Sequence, residues 1–312
     1  MKHDRALAWL AFAVVCTVWG TTYLVIAIAI ETIPPVLMTG VRFVAAGAIL
    51  LPIALARGAR MPRDFKTIAN LVLVGFLLVA VGNLSVVWAE QWVPSGIAAL
   101  LVATAPFWMA IIETFRTNGE RVTLRSGLGM LIGFAGVAML VTPRATGGHW
   151  SVPLLVGALA IQIGGMSWQG GSAHAKYNLK HVPLMLSAAL QMLFGGVILV
   201  VIGLAIGDGA RATLTPRTFA ALAYLTLFGS VLAYSSYIYA LSHLRTTVTS
   251  LYAYVNPVVA MILGGLIHNE PLTWISWLAM AVILTGVAIV QSSAWMRTKP
   301  ATVIEIERKA AA

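Results

Sequence analysis

Long apolar runs, separated by short polar or Pro/Gly breaks, recur along the whole chain. A helix crossing the hydrocarbon core of a bilayer takes about 20 apolar residues. On that criterion the pattern predicts ten helices, at 6–29, 35–56, 67–90, 95–115, 126–142, 153–175, 183–206, 217–243, 246–267 and 273–293. The run 217–243 is the longest, with length to tilt or break. The shortest, 126–142, carries Gly127, Gly129, Gly133 and Gly136, a spacing that lets a neighbouring backbone come close. The first run continues to Ile30 without a small-residue cleavage site, so it reads as a retained helix rather than a signal peptide.

Composition agrees with the pattern. Of 312 residues, 60% are hydrophobic and 10% charged, with a mean hydropathy of +0.90. Soluble domains carry about 25% charged residues. Ten spans leave room only for short loops and tails, and none for a soluble catalytic domain. The net charge of +10 would suggest nucleic acid in a soluble protein; here its placement matters more than its sum. With the N-terminus inside, sixteen of the twenty Lys and Arg residues fall on the cytoplasmic side. Only Arg144, Arg211 and Arg217 fall outside, and Arg42 lies within the second helix. That bias follows the positive-inside rule and places both termini in the cytoplasm. Nucleic acid drops out as a partner. Trp9, Trp92, Trp150, Trp274, Trp277 and Trp295 sit at or beside predicted helix ends, as an interfacial aromatic belt requires.

The two halves of the chain resemble each other at an offset of about 150 residues. Glu120, Thr123, Ser126, Leu128, Met130 and Gly136-Val137-Ala138 recur as Glu270, Thr273, Ser276, Leu278, Met280 and Gly286-Val287-Ala288. Ile33-Pro34 matches Val182-Pro183, and Pro106 matches Pro257. Five helices is an odd number, so the second copy enters the membrane from the other side. The expected fold class is therefore an all-α polytopic membrane protein of ten transmembrane helices in two inverted five-helix repeats. Its divisions are 1–142, a linking loop 143–150, 151–293 and a cytoplasmic tail 294–312. Inverted repeats are the architecture of many secondary transporters, with substrate held between the repeats near the midplane.

Several short motifs in this order resemble the EamA-type ten-helix exporters of the drug/metabolite transporter superfamily. They are Trp19-Gly20, Arg42-Phe43, Pro106, Gly119-Glu120 with Gly129, Gly133 and Gly136-Val137, then Pro257, Glu270-Pro271-Leu272-Thr273 and Gly286-Val287. Asn269 departs from the pattern where the first copy has Gly119. The resemblance covers nearly the whole chain. It implies export of amino acids or related small metabolites from a bacterial-type inner membrane.

Residues that could carry transport are polar or aromatic positions inside spans. Trp19 and Trp168 hold equivalent places in the two repeats, beside Thr21, Thr22, Ser167 and Gln169. Each either fills a gap between helices or walls a wet cavity; an indole N–H in hydrocarbon needs a partner. Ser230, Tyr234 and Tyr237 share one helical face, and so do Thr249, Tyr252 and Asn256. Such stripes face away from lipid, either bonding between helices or lining a cavity. Asn83 aligns with Tyr234, and Trp108 is a further wall candidate. Pro106 and Pro257 lie mid-helix, where proline removes a backbone bond and produces a kink or a hinge. Arg42 is some seven residues inside its helix and needs a polar partner, helix-end carbonyls or a substrate carboxylate.

Other classes find little support. Cys16 is the only cysteine, so no metal or disulfide framework is expected. No G-x-x-x-x-G-K-[S/T] loop supplies an ATP site, and no cofactor is implied. The six histidines, His3, His149, His174, His181, His243 and His268, fall in tails, loops and helix ends rather than at one site. An intramembrane enzyme acting on lipid would need such a cluster. No acidic residue lies near the midplane to act as a proton relay. The expected function is a non-enzymatic secondary exporter of aromatic or large neutral amino acids, its partners a small-molecule substrate and the bilayer. One chain supplies the whole ten-helix unit. A drug or other metabolite exporter of the same fold is the alternative, and a channel or lipid-acting enzyme a more distant one.

Overall fold

The computed structural model describes residues 2–115, 123–140, 151–243, 252–267 and 273–297. The Glu120 and Glu270 motifs, Thr249, the 143–150 loop and the tail from 298 lie outside these residues. Every regular element among the described residues is helical. We number the main helices α1 (Lys2–Ala29), α2 (Pro35–Ala56), α3 (Phe65–Gly75, Phe76–Asn83 and Leu84–Ala89), α4 (Ser95–Val102 and Ala105–Thr114) and α5 (Leu124–Leu140). In the second half come α6 (Val152–Asn178), α7 (Leu184–Ala205), α8 (Pro216–Tyr224, Leu225–Leu232 and Ala233–His243), α9 (Tyr252–Ile267) and α10 (Trp274–Arg297). Seven of these are long and apolar enough to cross a membrane, and Leu124–Leu140, Val255–Ile267 and Trp274–Val290 are shorter apolar helices.

The starts are set by local chemistry. Asp64 accepts a hydrogen bond from the Thr67 N–H to cap α3, and Thr215 with Thr218 forms a capping box on α8. Proline at the first position opens α2 and α8. In the middle of α3 and of α8 the winding loosens to π-helix, over Phe76–Asn83 and Leu225–Leu232. These two segments have the same length and lie 149 residues apart. A π turn bonds i to i+5 and is frequent at functional sites. It also turns the expected Ser230–Tyr234–Tyr237 face. Ser230 sits inside the π segment and is directed at α2, while Tyr234 and Tyr237 meet α1 and α9 residues or each other.

Pairwise packing closes a ring, α1–α9–α4–α6–α3–α2–α8 and back to α1. Helix α7 lies against α2 and α3, and α10 against α5. Most of these pairings recur five helices on: α1 with α8 matches α6 with α3, and α1 with α9 matches α6 with α4. The α5–α10 seam is made by glycine. A Cβ on Gly286 would stand 2.5 Å from the Gly129 carbonyl oxygen, so no larger residue fits this approach. Gly133 and Gly136 also face close neighbours, but Gly127 faces open space and is not part of the seam.

Candidate functional site

The aromatic stripes expected from the sequence meet where α1, α8 and α9 converge. Trp19 lies ten residues before the end of α1; at 1.5 Å per residue that is about 15 Å, half the thickness of a hydrocarbon core. Its ring is 5.4 Å from Tyr237 and 5.0 Å from Tyr252 between centroids, and those tyrosines are 5.8 Å from each other. Tyr234 adjoins Tyr237 at 6.4 Å and packs against the apolar cluster of Phe43, Ala46 and Val79. All four side chains are half-buried. The edge-to-face contacts of Trp19 with Tyr252 and Tyr237 with Tyr252 are the geometry ring quadrupoles favour.

The α8 π segment bonds this centre, and the α3 π segment makes a matching bond to α6. A π turn leaves backbone carbonyls without their usual helical partner. The Trp19 Nε1–H donates to the Gly229 carbonyl of α8 at 3.1 Å. The equivalent pairing, α6 with α3, has the same kind of bond, from Ser167 Oγ to the Leu77 carbonyl at 2.8 Å. Trp168 stands beside Ser167 and packs over Gly82 in the α3 π segment, where a Cβ would come within 3.2 Å of its ring. Trp19 and Trp168 are therefore equivalent in position and different in bonding. Among the described residues the Trp168 indole makes no hydrogen bond, and neither does the half-buried side chain of Gln169. Asn83 ends the α3 π segment with its Oδ1 buried and without a hydrogen-bond partner.

Arg42 has a different neighbourhood from either one expected. Its side chain is 4% exposed, its Nε donates to Ser230 Oγ at 2.9 Å, and its guanidinium lies 4.9 Å over the Phe43 ring. Its Nη1 is buried without a hydrogen-bond partner, and Glu90 is near enough to act on it electrostatically. The bond to Ser230 ties α2 to the second π segment.

The two prolines behave differently. At Pro106 the helix is interrupted, with Ala103 and Thr104 in a turn between the halves of α4. Gln162 of α6 fills the break. Its Nε2 donates to the Leu101 carbonyl at 3.1 Å, and its Oε1 accepts from Thr104 Oγ1 at 2.9 Å and Trp108 Nε1 at 3.0 Å. Trp108 is thereby anchored to the break, against Phe134, rather than gathered with Trp19. At Pro257 the helix runs on unbroken. Asn256, 6% exposed, orients its amide to donate to the Cys16 carbonyl of α1 at 3.0 Å and to the Tyr252 carbonyl at 3.1 Å.

Sequence reasoning named Trp19, Tyr234, Tyr237 and Tyr252 among its candidates but paired Trp19 with Trp168, and the structure brings the first four side by side. It missed Gln162 and Thr104, each a lone polar residue in an apolar run, and named Ser167 only as a polar neighbour of Trp168. That isolation was the available signal, because a polar group inside a membrane helix needs a partner. Among the described residues no three His, Cys, Asp or Glu side chains converge as a metal site would require.

Comparison with known proteins agrees with this architecture. The description of the EamA-like transporter family matches two stretches, residues 6–142 and 155–292. The uncharacterized inner membrane transporter YedA of Escherichia coli (strain K12) is 40% identical over 275 residues, 88% of this chain and 87% of YedA. The uncharacterized transporter YvbV of Bacillus subtilis (strain 168) is 24% identical over 100% of this chain and 99% of its own length. A crystal structure of another protein superposes with a TM-score of 0.65 at 21% identity, over 94% of this chain and 99% of that one. At that identity it speaks for the fold alone. Two matches to one family description, with a relative as near as YedA, establish that this membrane protein belongs to the EamA-like transporter family.

Proposed function

We propose that this transporter exports amino acids, aromatic or large neutral ones, from the cytoplasm by alternating access between two inverted five-helix repeats. The observation that carries the substrate reading is the Trp19–Tyr237–Tyr252 cluster, with Tyr234 beside it, half-buried at mid-span. Aromatic faces with phenol hydroxyls suit a large apolar side chain and still offer hydrogen bonds to polar ends. Trp168, Asn83 and Gln169 form the facing wall in this reading, and Arg42 the charged member of the site. Trp108 and Asn256 position the α4–α6 and α9–α1 contacts, and Pro106 provides the hinge.

The repeat reading is supported by two family matches of nearly equal length, by π segments 149 residues apart, and by helix pairings that recur five helices on. The lysine and arginine bias supports cytoplasmic termini. YedA is named an inner membrane transporter, which supports the same location here. Two similar halves that exchange conformations convert a cavity open on one side into one open on the other.

The test is counterflow in proteoliposomes. Vesicles preloaded with unlabelled L-phenylalanine, L-tryptophan or L-leucine should take up the labelled amino acid transiently and saturably. A second reading, export of drugs or other apolar metabolites, rests on the same aromatic cluster. It is favoured if no amino acid exchanges and a hydrophobic cation does. Flux without counterflow or saturation would instead describe a channel.

A further inference from the structure

The two ends of the bundle are each closed by a seam between one helix of the first half and one of the second. At one end the start of α3 meets the end of α6, and at the other the start of α8 meets the end of α1. Counted from the helix caps, the seams use the same positions. Thr67 and Thr218 are each the third residue after the cap, and His181 stands 149 residues after Thr32. Thr67 Oγ1 is 2.8 Å from His181 Nε2, and Thr218 Oγ1 is 3.0 Å from Thr32 Oγ1.

The charges beside these bonds are not equivalent. Next to Thr32 and Thr218, Glu31 and Arg217 form an ion pair at 3.0 Å. The same two positions in the other seam are Lys180 and Lys66. One seam is drawn together by opposite charges; the other has a lysine at both places, with the Lys180 ammonium 5.5 Å over the Tyr177 ring and Asp64 the one carboxylate near its His181 among the described residues. A second layer repeats the contrast. The α8–α1 seam has apolar Ala221 and Val25 in one cluster with Leu225, and a backbone bond from Thr213 N–H to the Thr32 carbonyl. The α3–α6 seam has at those places the polar bond between Asn70 Oδ1 and His174 Nε2, 2.8 Å long.

We propose that these seams are equivalent latches of unequal strength, and that the α3–α6 latch opens first, so the resting transporter favours opening at the Lys66–Lys180 end. This rests on the alternating-access reading and adds to it which gate yields and why. Exposed ion pairs are weak, so the bias is a population ratio of about two- to fivefold rather than a lock. Weakness is useful here, because a latch that must release in every cycle cannot be strong. The charges are also screened in opposite senses. Salt weakens the Glu31–Arg217 attraction and relieves the Lys66–Lys180 repulsion.

The test places spin labels across each seam in a Cys16→Ala background, at Phe65 and Asn178 for one and Ala27 and Leu214 for the other. Distances in liposomes should show more open population for the Phe65–Asn178 pair at low salt. Lys180→Glu, which recreates the ion pair opposite Lys66, should cut that population about two- to fivefold. Glu31→Lys should open the other seam by a similar factor. Raising the salt should narrow the first distribution and broaden the second. Lys180 is exposed and Glu31 partly so, and thermal unfolding should confirm that both variants fold as the parent does. Equal opening of the two seams, or no response to either charge reversal, overturns the proposal. Distances that shift as expected in vesicles showing no amino-acid counterflow would leave the latches standing and remove the substrate reading instead.

Discussion

The contact of α4 with α6 and the contact of α9 with α1 occupy equivalent places in the two halves, yet their polar links run in opposite directions. In the first, Gln162 reaches from α6 into α4, donating to the Leu101 carbonyl at the break before Pro106 and accepting from Thr104 and Trp108. In the second, Asn256 reaches from α9 to the α1 backbone, and α9 stays intact across Pro257. Both halves carry a proline, so proline alone does not decide whether the helix breaks. The polar partners differ as well. At the interrupted helix the amide comes from the neighbouring helix, and at the continuous one it is on the proline helix itself. One half thus has an interrupted helix where the other has a continuous one.

The largest effect expected is from Gln162→Leu. It leaves the Trp108 N–H without its hydrogen-bond partner, a loss of about 1–3 kcal/mol while the indole stays buried, and takes one donor from the Leu101 carbonyl, which keeps the Thr104 N–H and hydroxyl. Thermal unfolding in detergent should fall well below that of the parent. Asn256→Leu should cost less, about 1 kcal/mol, because the carbonyls it meets lie within helices that already bond them. Equal losses from the two variants would mean that the contacts do not differ as described.

Next in size is the contrast between prolines. Pro106→Ala returns an N–H to α4, favours a continuous helix and should slow transport about tenfold, the effect of about 1.4 kcal/mol on a barrier. Pro257→Ala acts on a helix that is already continuous and should change flux by less than about twofold. The smallest contrast concerns the tryptophans. Trp19→Phe removes the donor to the Gly229 carbonyl and should weaken transport a few-fold, about 1 kcal/mol for one neutral bond. Trp168→Phe loses no hydrogen bond described in the structure and should stay within twofold of the parent.

The long apolar helices were readable from the sequence, because apolar length is a direct consequence of bilayer thickness; seven meet that length among the described residues. Helix 35–56 was expected and is found at Pro35–Ala56; the helix expected at 126–142 is found at Leu124–Leu140. Helical periodicity marked the faces carrying Tyr237 and Tyr252, but their meeting with Trp19 depends on which helices pack together. The π segments did not. Their sequence is an ordinary apolar run with a glycine and a polar residue, Gly82-Asn83 and Gly229-Ser230, and each accepts a bond from another helix that local sequence does not announce. For the same reason the partner of Arg42 was not legible. Ser230 reaches it only because the π turn rotates that residue off the Tyr234–Tyr237 face. The sequence also treated Pro106 and Pro257 alike, since nothing local to either says which neighbouring helix carries the amide.

The most direct test of the account is counterflow of labelled L-phenylalanine in proteoliposomes holding the parent, Trp19→Ala and Tyr252→Ala proteins, matched for thermal stability. The account predicts saturable counterflow for the parent and at least a tenfold loss in both variants, the effect of about 1.4 kcal/mol or more. Undiminished counterflow in both variants would contradict the placement of the substrate against the Trp19–Tyr237–Tyr252 cluster.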